Sequence, residues 1–269
     1  MIKKVFLGAL ILFSLNSCST NAITGRSQLS LVSSEEMSSM ALTQYKQFLS
    51  ENKVVTNASN KDVEMVKRVG NRIAAAITQY YQTKGNGTNP LANYKWEFNL
   101  VDSKEVNAWC MPGGKVVVYT GLLPVTQDEA SLAIVMGHEI THAVAEHGKE
   151  QYSQQLMASG LQSLGSAALA KNATAQGLFN NLYGPGAQMG ILHFSRKDEL
   201  EADHFGLIFA AMAGYNPQVA IPFWQRMAAL SKGSSTPALL SSHPSDAARI
   251  AQLQKLMPEA LQYYKPVQK

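Results

Sequence analysis

The sequence predicts an α+β fold, mainly α-helical, with a small sheet of about three strands packed on one buried helix. Three features point to it. Apolar residues recur at helical spacing over most of the 269 residues, as at Val63, Val66, Val69, Ile73, Ala76 and Ile77. The period drops to two at Trp96, Phe98 and Leu100, which is the pattern of a strand. Soon afterwards comes SLAIVMGHEITHAVAEHG, in which Leu132, Ile134, Val135, Met136, Ile140 and Val144 make a helix apolar nearly all round.

Lys3 and Lys4, the apolar run VFLGALILF and then Leu15-Asn16-Ser17-Cys18 have the form of a secretory signal, too short to span a bilayer. LNSC resembles a bacterial lipobox, in which Cys18 is lipidated, becomes the first mature residue and anchors the chain to a membrane. Ser19 in place of Asp after it resembles the outer-membrane sorting pattern of Gram-negative bacteria. The expected organisation is a signal peptide at 1–17, a polar lipid-anchored tether at 18–34 and a single domain at 35–269. With Cys18 lipidated, Cys110 has no partner for a disulfide, and its neighbours Trp109 and Met111 suggest a buried structural thiol. Loss of Lys3 and Lys4 lowers the formal charge from +4 to +2, too little for a nucleic-acid binder.

A Ser-Ser-Glu-Glu cap signal opens a helix over 35–52, and a longer helix runs from Lys61 to Gln82. Gly85, Asn86, Gly87 and Pro90 mark a loop over 83–93. Trp96 to Leu100, Val106 to Cys110 and Val116 to Tyr119 read as strands of a largely antiparallel sheet, with the turn Pro112-Gly113-Gly114 between the last two. A sheet placed just before HEITH either offers an exposed edge to an extended peptide or merely covers the core, and spacing leaves both open. Residues 151–171 read as a helix too polar to span a membrane, and 172–187 as a mobile loop. Helices follow from Met189 to Ala213, from Asn216-Pro217 to Leu230 and from Ser245 to Met257.

His138 and His142 lie four apart on one helical face and can pinch a single ion. Glu139, one step round, can handle a proton on a water at that ion, the HExxH arrangement of a zinc hydrolase. A catalytic zinc takes three protein ligands, so one is missing. Ala145 and Gly148 exclude the extended metzincin motif, and His147 is expected to be an ordinary surface residue. SRKDELEADHFG offers Glu199 as the third ligand and Asp203, on the same face, to orient a ligating histidine. The alternative is four surface acids that pair with Arg196 and Lys197. His243, before Pro244, can steady an oxyanion, close the open metal position, or do neither.

Taken together, TGLL, HEITHAVAEH, SRKDELEAD and SHP resemble the HtpX and CAAX-prenyl-protease superfamily of zinc peptidases, in its soluble, lipid-anchored or periplasmic branch that includes BepA and LoiP. NAITGRSQLSLVSSEE and NAWCMPGGKVVVYTGLL extend the resemblance over most of the mature chain. The resemblance implies a zincin-like (gluzincin) fold and one Zn2+ per chain on His138, His142 and Glu199, with Glu139 as acid/base. It matches Asp203 to an acidic residue four after the ligand and His243 to a histidine that regulates the zinc. It also implies an edge strand that binds substrate, here Gly113, Gly114, Val116, Val117 and Val118. The expected function is a cell-envelope endopeptidase for unfolded or misfolded proteins, lipid-anchored in the outer membrane and facing the periplasm. The alternative is a non-catalytic, chaperone-like assembly factor with capped zinc. Within this sequence no spanning helix is expected after the signal, unlike the superfamily's membrane-embedded members, and no helical-repeat domain is expected after the protease body, unlike BepA.

Overall fold

The computed structural model describes residues 18–84, 90–161, 164, 166–169, 171–184, 194–230, 237–243 and 247–266. It begins with an antiparallel hairpin, β1 (Cys18–Thr20) and β2 (Ser27–Leu29), within the stretch expected to be a polar lipid-anchored tether. The Asn21 carboxamide accepts hydrogen bonds from the Ile23 and Thr24 amides and turns the chain between the strands. Ile23, Val32, Asn21 and Gln28 are buried, and Gln28 Nε2 donates to the carbonyl of Ala145 at 2.9 Å. Gln28 thus ties this polar segment to the body. The expected signal peptide at 1–17 lies outside the described residues.

A reciprocal capping box between Ser33 and Glu36 starts α1 (Ser34–Glu51), as the sequence predicts. Helix α2 (Lys61–Lys84) buries Val63, Val66, Val69, Ile73 and Ile77 at helical spacing. The sheet consists of β3 (Glu97–Val101), β4 (Ala108–Met111) and β5 (Lys115–Tyr119), in the order β3-β5-β4. Its predicted antiparallel character holds only for β4 and β5, joined through Gly113 and Gly114, both at positive φ. After that turn β5 runs between its two neighbours and lies parallel to β3. The sheet separates two cores. One holds Phe98, Val116 and Val118 with α2 and the helices beyond; the other holds Trp109, Val117 and Tyr119 with α1.

The turns Thr120–Leu122 and Leu123–Thr126 lead to Asp128, whose carboxylate caps the amide of Ser131 and starts α3 (Glu129–Val144), the HEITH helix. Every residue from Ser131 to Val144 is buried. Glu146 takes a left-handed conformation (φ 57°), which breaks the helix, and α4 (His147–Ala158) starts again at a new angle. A single turn, Ser166–Leu169, precedes α5 (Ala173–Tyr183). The sequence marks that stretch as a loop. It is helical because Asn172 caps the Thr174 and Ala175 amides and Ala175, Phe179, Leu182 and Tyr183 are buried.

The Ser195–Asp198 capping box starts α6 (Arg196–Met212); the predicted start at Met189 lies outside the described residues. α7 (Ala220–Leu230), α8 (Ala238–Ser242) and α9 (Ala247–Tyr263) complete the chain. Among the described residues, no helix is long and apolar enough to cross a membrane.

Candidate metal centre

Helices α3 and α6 meet backbone to backbone. A Cβ built on Gly137 would lie 2.8 Å from the carbonyl oxygen of Gly206, and one built on Gly206 would lie 2.9 Å from the amide nitrogen of His138. Two facing glycines thus allow the approach that sets residues 138–142 of α3 against 199–203 of α6. Each helix contributes two side chains four apart, hence on one face.

The sequence-predicted ligands converge there. Ligand atoms of His138, His142, Glu199 and His243 all lie within 4.8 Å of one another. His138 Nε2 is 3.1 Å from His142 Nε2 and 3.2 Å from His243 Nδ1. The Glu199 carboxylate lies 3.5 Å from His138 Nε2 and from His142 Nε2, and 2.7 Å from His243 Nδ1. A tetrahedral zinc with bonds of about 2.0–2.1 Å separates neighbouring ligand atoms by about 3.3 Å, close to this spacing. Glu199 Oε2 and Glu139 Oε1 are buried without a hydrogen bond. Buried carboxylate oxygens of that kind are costly unless a cation faces them. Nitrogen and carboxylate donors at these separations make a site able to hold a zinc ion.

Burial opposes charge on Glu199, yet the His243 and His138 rings hold its carboxyl well below the usual carboxylate range. Burial and Arg249 oppose charge on His138, but hydrogen bonds to Asp203 and Glu199 raise it overall, so the acids favour positive charge at this ring. Burial drives His142 well down, which leaves it a neutral donor. Burial also pushes the Glu139 carboxyl up to about 7, although the nearby His243 pulls the other way. Its Oε1 lies 3.6 Å from His243 Nε2, at the side of the cluster.

Behind the cluster, Asp203 Oδ1 sits 3.0 Å from His138 Nδ1, the contact expected of it. Asp203 is clasped by Arg249, with Nε to Oδ2 at 2.9 Å and Nη2 to Oδ1 at 2.6 Å, and Arg249 lies 3.5 Å over the Trp224 ring. Arg249 is not among the residues that the sequence motifs single out. Its signal was a charge on the buried stripe Arg249, Leu253, Met257 and Ala260 of α9. His147, expected at the surface, is buried, with Nδ1 at 2.8 Å from His142 Nδ1 and Nε2 at 3.0 Å from Glu201 Oε2. The break at Glu146 turns it back under His142.

Strand β5 is not the substrate edge that was expected. It pairs on both sides, and Val116, Val117 and Val118 are fully buried. Gly113 and Gly114 are spent on the turn, where their carbonyls accept from the Lys95 and Glu97 amides. Strand β4 pairs on one side only among the described residues. Beside β4 a cavity opens at Glu139 and His142, walled by Met37, Tyr94, Trp109, Met111, Leu182 and Tyr183. Phe194 stacks on the His142 ring, with centroids 3.9 Å apart. Burial pushes the Cys110 thiol well up, as suits an inert structural cysteine.

Sequence comparison agrees with this geometry. The chain is 38% identical over 183 residues to the mitochondrial metalloendopeptidase OMA1 of Arabidopsis thaliana, covering 67% of this chain and 36% of that protein. It is 33% identical over 183 residues to the beta-barrel assembly-enhancing protease of Yersinia pestis, covering 65% and 38%. Human OMA1 is 28% identical over 286 residues, covering 96% and 50%. The chain thus spans between about a third and a half of the length of these relatives. Residues 60–257, which contain the HEITH helix, the acidic helix and His243, match the profile of peptidase family M48, and the chain belongs to that family.

Proposed function

We propose that the chain is a zinc-dependent endopeptidase of the cell envelope that cleaves unfolded or misfolded proteins. The observation that carries this reading is the convergence of His138, His142 and Glu199 with the Glu139 carboxyl alongside. The first three hold the metal. When bound, zinc supplies a Lewis acid that polarises a carbonyl and acidifies water. Glu139 takes the proton of the attacking water and hands it to the leaving amine. Substrate lies extended along β4 in place of the predicted β5, by strand addition. Next to the cut, the cavity of Met37, Tyr94, Leu182 and Tyr183 accepts a large apolar side chain, a kind of residue that unfolding exposes.

The name of the Yersinia relative, a beta-barrel assembly-enhancing protease, supports an envelope role, and the LNSC sequence supports Cys18 as an outer-membrane lipid anchor in a chain of the same branch as BepA and LoiP. Metal analysis with casein cleavage tests the core of the proposal. We expect about one zinc per chain and cleavage that stops with a chelator and returns with zinc. Cleavage indifferent to chelation defeats the reading.

A second reading, the chaperone-like factor with capped zinc, draws on the position of His243. Its Nδ1 lies within reach of both Glu199 and His138, so it can close the set of ligands. His243→Ala is expected to raise cleavage of unfolded protein about tenfold, equivalent to ~1.4 kcal/mol of capping. A fall in kcat at unchanged zinc content assigns His243 to the oxyanion instead.

A further inference from the structure

A ligating histidine must turn one ring nitrogen to the metal as a bare lone pair, and the hydrogen bond at its other nitrogen fixes that choice. For His138 the partner is Asp203, itself held by Arg249. His142 has no carboxylate at its Nδ1. It has the Nδ1 of His147, at 2.8 Å.

The protons in that contact can be placed by elimination. An ionised Glu201 only accepts, so the His147 Nε2 at 3.0 Å is the donor. The 2.8 Å contact between the two Nδ1 atoms holds one proton, and with its Nε2–H turned to Glu201 the His147 ring offers its Nδ1 to accept the Nδ1–H of His142. That leaves His142 Nε2 bare and aimed at Glu199 and His138. Glu201 is fixed in turn by Arg26, with Nε to Oε1 at 2.8 Å and Nη2 to Oε2 at 3.2 Å. Arg26 also reaches Asp198 Oδ1 at 2.8 Å and Glu150 Oε2 at 2.5 Å. His147, Asp198 and Glu201 have the spacing of a second metal cluster, but the Arg26 guanidinium already supplies the positive charge among these acids, and we assign no cation there.

We propose that Arg26, Glu201 and His147 are positioning residues that fix the tautomer and direction of His142 for the metal, making the N-terminal hairpin part of the metal centre. The arrangement matches the Asp203–Arg249 support of His138, with one histidine interposed. It rests on the reading of His142 as a zinc ligand.

The test is the zinc dissociation constant of the full chain, measured by competition with a chromogenic chelator, alongside thermal unfolding of the apoprotein. Arg26→Ala, Glu201→Ala and His147→Leu are each expected to weaken zinc binding roughly 10–100-fold. His147→Asn, whose carboxamide oxygen can accept from His142, is expected to recover part of that loss. Arg68→Ala, which breaks the Arg68–Glu129 pair at the start of α3, is expected to leave the constant unchanged. If His147→Leu does not fold, the other two variants decide. Folded Arg26→Ala and Glu201→Ala proteins with the parent zinc constant overturn the proposal, even if they melt at lower temperature. A parent protein that binds no zinc overturns the metal reading and this inference together, whereas unaltered variants of a zinc-binding parent overturn the inference alone.

Discussion

Glu139→Gln is expected to lower kcat for peptide hydrolysis by roughly 10³-fold, about 4 kcal/mol in the barrier, while zinc binding persists. Gln keeps the length of the side chain and a carbonyl oxygen but cannot take a proton. The residue is not among the converging ligand atoms, so its replacement leaves His138, His142 and Glu199 in place. The change exchanges one buried carboxylate oxygen for an amide nitrogen of nearly the same size, so the packing around the side chain is kept and the variant is expected to fold as the parent does. This separates chemistry from folding. Measured as single-turnover cleavage of an unfolded substrate beside zinc content, a parent-like rate in Glu139→Gln would falsify the assignment of the base. Loss of zinc together with activity would instead mean that Glu139 helps to hold the metal.

The parts of the site that were legible in the sequence are those that helix geometry fixes alone. His138 with His142 and Glu199 with Asp203 are pairs four apart, and no tertiary information is needed to put each pair on one face. The resemblance then joined the two pairs. What was illegible depended on a break or on a long-range partner. Placing His147 at the surface assumed a helix continuous through residue 147, but that helix ends at Val144 and Glu146, at φ 57°, breaks it. Strand order has no signature in a period of two, so spacing could not test the edge strand that the resemblance implied at β5, which is the centre of the sheet. Nothing in the polar stretch 18–34 singles out Arg26, because its three acidic partners lie at positions 150, 198 and 201. Arg249 was hidden for a similar reason, since its partner Asp203 is 46 residues away.

The glycines at the crossing of α3 and α6 give the second large effect. Gly206→Ala puts a methyl group 2.9 Å from the backbone nitrogen and 3.0 Å from the Cα of His138, and backbone atoms of a buried helix cannot swing aside as a side chain does. The overpacking costs about 1–3 kcal/mol, while Ala gains about 1 kcal/mol over Gly in a helix interior, so the net loss of stability is modest. The site responds more strongly, because the atom that must move belongs to His138 itself, and a shift separates it from Glu199. A misplacement of about 1 Å at a reacting centre costs on the order of 10²-fold in rate, and zinc affinity is expected to fall with it. Gly177→Ala is the matched control: it lies inside α5, and a Cβ there meets nothing within 4 Å. It is expected to stabilise the protein by ~0.5–1 kcal/mol at unchanged activity. Equal activity in the two alanine variants would show that the close approach of α3 and α6 does not hold the two halves of the centre together.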